Sequence, residues 1–213
     1  QLVAEISHEI KNPLVLIGGL ANQLLTKTEN ETNKGKLRVI SDEVKRLEEL
    51  LAELRDLYTP KSLTLREIDL NGLLQEVHQL IKQECKERGI DLHLRLDAAA
   101  LVIEGDRSKL HQVFLNLLKN SMEELEAGGK VVLASEAVAE DGVRGVISDN
   151  GSGIPSEIQE KVFAPFFTTK RKGTGLGLAV SQRIISDHPG AEFELESAEE
   201  KGTKITLSFP RVK

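Results

Sequence analysis

Histidine and glutamate stand side by side in the segment SHEIKNPL, residues 7 to 14. Both side-chain types commonly move protons in enzymes, and a neutral imidazole, with an ordinary pKa of about 6.5, is also available as a nucleophile near pH 7. The apolar spacing around the pair is helical. Yet Pro13 follows five residues after His8, where a proline costs a helix about 3 kcal/mol. Stability of the helix does not explain this combination of residues, so the pattern indicates that the segment has a function.

A second candidate is the helical stretch HQVFLNLLKNSMEEL, residues 111–125. Asn116 and Asn120 are four residues apart in it and share one face of the helix. Two amides on an otherwise apolar helix carry a desolvation cost unless they meet a ligand. A carboxamide oxygen suits Mg²⁺, which prefers few protein ligands together with phosphate oxygens and water.

Two glycine-bearing segments complete the set: DNGSGIP, residues 149–155, and KGTGLGLAV, residues 172–180. Glycine lets backbone approach a ligand closely, and a helix start offers unpaired N–H groups to phosphate. The second segment lacks the strand that precedes a dinucleotide fingerprint, since the basic, loop-like FAPFFTTKRK stands there, and no P-loop pattern is present. Taken singly, either segment could be a structural turn.

Two N-terminal helices must position the His-Glu pair. Apolar residues recur at helical spacing from Val3, and the polar stretch TKTENETNKGK predicts a turn at residues 26–36. The second helix has a heptad seam with alternating spacings of 3 and 4, formed by Leu37, Ile40, Val44, Leu47, Leu51, Leu54 and Tyr58. This seam favours a parallel dimer, in which two hairpins form a four-helix bundle. A hairpin packed only within its own chain remains an alternative, because heptads alone do not determine oligomeric state.

Beyond TPKSL, residues 59–63, the pattern changes class. We predict a helix over residues 68–89, strands over 90–97 and 101–106, and a long helix over 106–129. Strands over 130–140 and 143–150 follow, then helices over 156–163 and 176–188, and a closing hairpin over 191–197 and 203–210. Because neighbouring strands outnumber strand–helix alternations, the expected class is α+β. The fold is a helical hairpin followed by an α/β sandwich with helices over one mixed sheet.

Composition excludes several classes. The 213-residue chain is 39% hydrophobic and 29% charged, as soluble globular proteins are. Its formal charge of -6 and pI of about 5.5 argue against nucleic-acid binding. The single cysteine, Cys85, fits a reducing compartment, and no stretch reaches the length of a membrane span. We therefore expect a cytoplasmic fragment without membrane contact. Because it opens on Gln1 in helical pattern, we also expect that upstream sequence, with any anchor, has been removed.

The order of these motifs resembles the catalytic core of sensor histidine kinases. NLLKN, DNGSGIP, FAPFFTTK, GTGLGLAV and the terminal GTKITLSFP resemble their ATP-binding domain, which shares its fold group with the ATPase domains of gyrase and the heat-shock chaperones. SHEIKNPL resembles their phosphoacceptor box. The resemblance implies a dimerisation and phosphoacceptor domain at residues 1–60, a linker at 61–67 and a catalytic ATP-binding domain at 68–213.

The resemblance also implies a reaction: the γ-phosphoryl of Mg-ATP passes to His8 and then to an aspartate on a response regulator receiver domain, which the same chain could also dephosphorylate. Glu9 would orient and activate the His8 ring, Asn12 would position a water, and the Pro13 kink would let the bundle flex. Asn12 could alternatively satisfy backbone groups that Pro13 leaves unpaired.

The nucleotide site is carried over residue by residue. Asn120 resembles the magnesium ligand, Asp149 the carboxylate that accepts the adenine amino group, and Thr203 a water-mediated adenine contact. Lys170 lies near the phosphates by position. The full set implied is Asn116, Asn120, Asp149, Gly151, Gly153, Lys170, Gly173, Thr174, Gly175, Leu176, Gly177 and Thr203.

Some features remain open. Phe163, Phe166 and Phe167 fit either a plain core or anchors of a lid that orders on nucleotide binding. This family often carries a His-Gly-Gly turn before its penultimate strand, and the chain has His188, Pro189 and Gly190, which puts that turn's geometry in doubt. The histidines other than His8 are interpreted as packing or surface residues.

Two rival functions are weighed against the kinase. A protein-serine kinase or ATPase of the same fold needs no histidine in the hairpin, so SHEIKNPL counts against it. A dimeric adaptor that binds nucleotide without turnover would be favoured by loss of Asn120 or the glycines, and both are present.

Overall fold

In a computed structural model, the protein is described over residues 2–58, 62–138, 142–170 and 173–212, with side chains from residue 10 onward. The chain divides into two compact units, Gln1–Lys61 and Ser62–Lys213. None of the helices in the described residues is long and apolar enough to span a membrane.

The first unit is a hairpin of two long helices, α1 (Leu2–Lys27) and α2 (Glu31–Tyr58). The turn between them is only three residues, shorter than the eleven-residue stretch we predict from polarity. The Asn30 side chain accepts a hydrogen bond from the backbone N–H of Asn33 at 3.1 Å, which lets α2 start early. Where the helices meet, Val44 packs against Gly18, and a Cβ added at Gly18 would lie 3.0 Å from Val44 Cγ1.

The second unit contains a five-stranded sheet in the order β2-β4-β5-β7-β6 and a separate antiparallel pair, β1 and β3. Strands β2 and β4 are parallel and the other neighbours are antiparallel, so the main sheet is mixed as predicted. The strands are β1 (Arg66–Asp69), β2 (Asp91–Arg95), β3 (Val102–Gly105), β4 (Lys130–Val138), β5 (Gly142–Asp149), β6 (Glu192–Ala198) and β7 (Gly202–Pro210).

Three long helices pack with this sheet: α3 (Leu70–Glu87), α4 (Arg107–Glu123) and α6 (Gly177–Asp187). The short helix α5 (Ser156–Gln159) and one 3₁₀ turn (Lys161–Phe163) precede the glycine loop. Phe114 of α4 is fully buried over Gly145 of β5, where a Cβ would come within 2.6 Å of the ring. The missing side chain at Gly145 therefore lets α4 approach the sheet closely.

Two expectations need correction. Residues 66–69, which we place in the linker and the first turn of a helix, form β1. Ile68 is buried and pairs with the buried Ile103 of β3, so sheet pairing overrides the helical pattern. The helix starts at Leu70 because Asp69 accepts hydrogen bonds from the N–H groups of Asn71 and Gly72. The helix expected over 106–129 ends at Glu123, and the glycine-rich segment after it forms turns.

Candidate functional site

Asp149 ends strand β5 and is held by its own backbone surroundings. Its Oδ1 accepts hydrogen bonds from the N–H of Gly151 at 3.0 Å and of Thr203 at 3.1 Å. Its Oδ2 has no partner within the described residues. One carboxylate oxygen is thus used by the fold, and the other remains for a ligand.

Two glycines interlock the loop after Asp149 with the turn between β6 and β7. Gly153 has φ +71°, and a Cβ there would collide with the carbonyl oxygen of Ala198. Gly202 has φ +81°, and a Cβ there would collide with the carbonyl oxygen of Asp149. These positions tolerate only glycine because both the backbone conformation and the available space exclude a side chain.

The polar contacts that brace this loop have no signature in the sequence. Ser197 Oγ accepts a hydrogen bond from the N–H of Ile154 at 2.9 Å and lies 2.9 Å from Thr203 Oγ1. Gln159 Nε2 donates to the carbonyl oxygens of Ile154 and Ser197, each at 2.8 Å. Nothing in AEFELES distinguishes Ser197 from an ordinary strand residue, so no sequence signal pointed to it. Asp149, Ser197, Thr203 and Gly202 line one open depression of about 360 Å³.

The two asparagines of α4 have different surroundings. Asn116 Nδ2 donates to the carbonyl oxygen of Gly177 at 3.1 Å and lies 3.5 Å from Ser181 Oγ, so it joins α4 to the start of α6. The half-buried Asn120 amide makes no hydrogen bond within the described part of the chain. The Asn116 amide is therefore occupied within the protein, while the Asn120 amide is available to a ligand among the described residues.

The glycine loop of residues 173–177 leads directly into α6. Gly175 has φ +67°, and its carbonyl oxygen accepts a hydrogen bond from Phe166 N–H at 2.9 Å. Thr174 Oγ1 accepts a hydrogen bond from the N–H of the fully buried Leu176 at 3.3 Å. No side chain in the part of the chain that the structure describes caps α6, so its first N–H groups are available to an anion.

The segment before this loop holds the phenylalanines and Lys170. The Phe163 ring packs edge-to-face on Phe193 of β6, with centroids 5.5 Å apart. Phe166 is 55% exposed and has φ +68°, an uncommon conformation for an aromatic residue. Lys170 Nζ contacts Glu123 Oε2 at 2.6 Å and Glu124 Oε1 at 3.2 Å, both at the end of α4.

The phosphoacceptor candidates lie in the first unit. His8 and Glu9 are part of α1, which continues through Pro13, but their side chains fall outside the described part of the structure. Asn12 is exposed.

The remaining histidines do not form a cluster, and the described residues contain no group of three or more His, Cys, Asp or Glu side chains arranged to hold a metal. His188 is buried: its Nδ1–H donates to the carbonyl oxygen of Ile184 at 2.7 Å, and its Nε2 accepts from the N–H of Asp106 at 3.0 Å. The turn that follows closes normally, with Gly190 at φ +68° and Ala191 N–H bonded to the His188 carbonyl oxygen. Burial, assisted by the charge of Lys82, lowers the pKa of His78.

The residues present fit a magnesium nucleotide. Asp149 Oδ2, free among the described residues, suits an exocyclic amino group, and the Asn120 amide suits a divalent cation with few protein ligands. The glycine loop and the start of α6 suit phosphates.

Comparison with known proteins agrees with these features. Residues 1–63 match the His Kinase A (phospho-acceptor) domain, and residues 105–213 match the histidine kinase-, DNA gyrase B- and HSP90-like ATPase family. Sporulation kinase A of Bacillus subtilis is 38% identical over 213 residues, covering 99% of this chain and 34% of that protein. Sensor histidine kinase ZraS of Escherichia coli K12 is 37% identical, covering 98% of this chain and 45% of that protein.

Solved structures give the same result. ShkA, determined full-length in complex with AMPPNP, superposes with a TM-score of 0.87 at 25% identity, covering 100% of this chain and 46% of that one. ThkA, determined in complex with the response regulator protein TrrA, superposes with a TM-score of 0.73 at 32% identity, covering 99% of this chain and 61% of that one. The chain thus spans between a third and a half of the curated relatives it matches. It belongs to the histidine kinase-, DNA gyrase B- and HSP90-like ATPase family, and within that family it is a histidine kinase catalytic core with its phospho-acceptor domain.

Proposed function

We propose that this core transfers the γ-phosphoryl group of ATP to His8 and that the phosphoryl group then passes to an aspartate of a response regulator. The observation that carries the proposal is Asp149, which has one oxygen held by the fold and the other without a partner among the described residues, in a chain whose other unit bears SHEIKNPL.

Each element of the nucleotide site would have a distinct task. The free Asp149 oxygen would accept the adenine amino group, and Thr203 would contact the base through water. Gly151 and Gly153, whose Cβ positions face Glu124 and the Ala198 carbonyl oxygen, would let the loop after Asp149 pack tightly and so present its carboxylate to the base. Gly173, Gly175 and Gly177 would let the phosphates approach the N–H groups at the start of α6.

Asn120 would ligate Mg²⁺, which neutralises phosphate charge. Asn116 would keep α6 in register with α4. The family's other implied contacts, Lys170, Thr174 and Leu176, flank the phosphate region. The positive charge of Lys170 would attract the phosphates.

The transfer itself needs few groups. His8, with a neutral ring, would form the new N–P bond while the bond from the γ-phosphorus to the bridging oxygen breaks. Glu9 would accept the proton from the other ring nitrogen, which keeps electron density on the attacking nitrogen. Catalysis would come mostly from positioning and charge neutralisation.

The working unit is proposed to be a homodimer, with the response regulator receiver domain as the second protein partner. The hairpin leaves Ile10, Val15, Leu16, Ile17, Leu20, Leu24, Val39, Ile40, Leu47 and Tyr58 exposed in the single chain. So large an exposed apolar surface on two helices supports dimerisation, in which the hairpin of a second chain would pack against it. The proposed location is the cytoplasm, where ATP is available.

The test is incubation of the chain with labelled Mg-ATP, followed by acid and base treatment and phosphopeptide mapping. We expect acid-labile, base-stable phosphate on His8, and His8→Gln should abolish it while nucleotide binding is retained. His78→Gln is the control, because that histidine lies in α3 of the nucleotide-binding unit. Acid-stable phosphate on serine, or full incorporation in His8→Gln, would contradict the proposal.

A further inference from the structure

A lysine from the segment before the glycine loop reaches the C-terminal end of α4. Lys170 Nζ lies 2.6 Å from Glu123 Oε2 and 3.2 Å from Glu124 Oε1. Glu123 is the last residue of α4 and Glu124 is its C-cap. One ammonium group therefore connects this segment to the helix through two carboxylates, which we call the Lys170 ion-pair cluster.

Two carboxylates at this position do not stabilise the helix. The C-terminal end of a helix carries a partial negative charge, so acidic side chains are disfavoured there. The last turn of α4 contains no basic residue to offset them. The compensating charge comes from Lys170, 46 and 47 positions further along the chain. The acidic pair is therefore explained by its contact with Lys170 and not by the needs of α4.

The cluster borders the proposed nucleotide site on two sides. Asn120 lies three and four residues before the two glutamates and so shares their face of α4. Glu124 also borders the loop after Asp149: a Cβ at Gly151 would lie 3.4 Å from the Glu124 carbonyl oxygen and 3.5 Å from its Cβ. An anionic ligand that reaches Asn120 therefore approaches both carboxylates and the lysine.

The charges permit only one of two pairings for Lys170. Its ammonium can neutralise the glutamates or the phosphates of a nucleotide, and the unpaired glutamates repel a polyphosphate. We propose that Glu123 and Glu124 hold Lys170 in the nucleotide-free protein and compete with the phosphates for it, so that these two carboxylates determine the affinity for the polyphosphate part of the ligand. The inference rests on the proposed function, because it assumes that ATP binds at this site.

Exposure sets the size of the effect. The Lys170 side chain is 29% exposed and the glutamates are 53% and 44% exposed, so each ion pair is partly screened by water. We expect Glu123→Gln or Glu124→Gln to tighten binding of a non-hydrolysable ATP analogue about two- to fivefold, with a roughly tenfold gain when both are changed. Adenosine has no phosphates, so its affinity should stay unchanged.

The experiment is calorimetric titration of the full chain with the ATP analogue and with adenosine, with and without Mg²⁺, at low and high salt. Glu126→Gln is the matched control: it removes the same charge from an exposed side chain two residues after Glu124 that has no ion pair within the described residues. Thermal melting of each variant checks the fold, and an unchanged melting temperature is expected because the pairs are exposed. Lys170→Met provides the second background, in which the glutamate substitutions should no longer tighten binding.

Four outcomes would overturn the inference. The first is unchanged or weaker binding of the analogue in both glutamate variants. The second is an equal gain in affinity in Glu126→Gln, which would indicate general charge repulsion. A gain that persists in the Lys170→Met background is the third, since the competition must act through that lysine. The fourth is a loss of analogue affinity in the glutamate variants that occurs only in the titrations with Mg²⁺, because it would show that the glutamates are cation ligands. Failure of the unaltered chain to bind the analogue and adenosine would instead contradict the proposed function, and this inference with it.

Discussion

At the scale of single residues, the site divides its polar atoms between the fold and the ligand. Within the described residues, Asp149 uses Oδ1 for two backbone N–H groups and leaves Oδ2 without a partner, and Asn116 donates to the Gly177 carbonyl oxygen while Asn120 makes no hydrogen bond. Buried and half-buried polar groups are ordinarily satisfied. The unsatisfied ones are therefore the best indicators of where a ligand binds.

Asp149→Asn should weaken ATP binding about 10- to 150-fold, because it replaces a charged acceptor, worth about 1.5–3 kcal/mol in such a hydrogen bond, with an amide. The amide oxygen can still accept from Gly151 and Thr203, which directs the NH₂ group toward the adenine amino group, donor against donor. Calorimetric titration with ATP measures the loss. Glu157→Gln, an exposed change on α5, is the control, and an affinity within twofold of the unaltered chain would refute the adenine role.

Asn12 and Glu9 should affect different reactions. Asn12 lies one helical turn after His8 and is exposed, so its amide is placed to orient a water but is a poor base. Asn12→Ala should lower dephosphorylation of the phosphorylated regulator much more than autophosphorylation of His8, and Glu9→Ala should do the reverse. Measuring both rates in both variants decides the matter. Equal losses, or none, in Asn12→Ala would show that the residue serves the backbone near Pro13.

At the scale of elements, hydrogen bonds at helix ends decide where the site residues lie. Asp106 caps α4 through the N–H groups of Ser108 and Lys109, and its Oδ2 accepts from the N–H of Thr64 at 3.0 Å, in the segment that enters the second unit. Its own N–H donates to His188, at the end of α6. One aspartate therefore connects the ends of both helices that border the nucleotide site.

Asp106 should make stability dependent on pH. Burial disfavours its charge, but the N–H groups of Thr64, Lys109 and Ser108 outweigh burial and hold the pKa of its carboxyl below the ordinary value. In the unfolded chain the Asp106 carboxyl has a pKa of about 3.9, so as pH falls the unfolded state binds the proton before the folded state does. The contribution of Asp106 to the free energy of unfolding is therefore complete above that pH, and it is lost as pH falls through the pKa of the folded state.

Urea unfolding of Asp106→Asn from pH 7 to pH 3 should show its largest deficit above about pH 5 and a shrinking one below about pH 4. Asp91→Asn, exposed on β2, is the control. A deficit independent of pH would contradict the assignment.

The interlocked glycines provide a second test at this scale. Gly202→Ala should cost about 2–4 kcal/mol of unfolding free energy and most nucleotide affinity, because strain at positive φ adds to the collision with the Asp149 carbonyl. Gly128→Ala is matched to it: φ is +90° there, but a Cβ has open space, so only about 1 kcal/mol should be lost. Equal costs in denaturant unfolding would show that the interlock is unimportant.

At the scale of the whole molecule, the two units differ in how completely they bury their apolar residues. In the second unit α3, α4 and α6 bury their apolar faces with the sheet, whereas in the hairpin only Leu14, Ala21 and Val44 are buried among the described apolar side chains. A long hairpin with so small a buried core needs further apolar cover.

Leu47→Asp combined with Leu51→Asp should therefore yield monomers, because a charge buried at a helix seam costs more than the seam can offset. Light scattering of the full chain measures the mass. Thr32→Asp with Ala52→Asp introduces the same charges at exposed positions of α2 outside the seam and should leave the dimer intact. A mass that both pairs leave unchanged would mean that the hairpin packs only within its own chain.

The α+β class, the motif residues and, apart from β1, the order of the main elements follow from local patterns. Helical and strand periodicity identified α1, α2 and the closing hairpin. Glycines placed between strand and helix identified the loops, since only glycine tolerates the required backbone at Gly153 and Gly175. Local patterns do not reveal strand β1, because the four residues that form it acquire their conformation from pairing with β3, 33 to 39 positions away along the chain.

The packing of the second unit determines which polar atoms of the site residues bond within the protein. Helical spacing alone places Asn116 and Asn120 on one helix face. Which of the two amides forms a hydrogen bond within the protein depends on how α6 packs against α4. Likewise, Lys170 was placed by its position in a basic loop, and its two glutamate partners emerge only when the loop folds back onto α4. Periodicity and turn chemistry act within a few residues, whereas hydrogen bonds and ion pairs form between whichever groups the packed chain brings within about 3 Å.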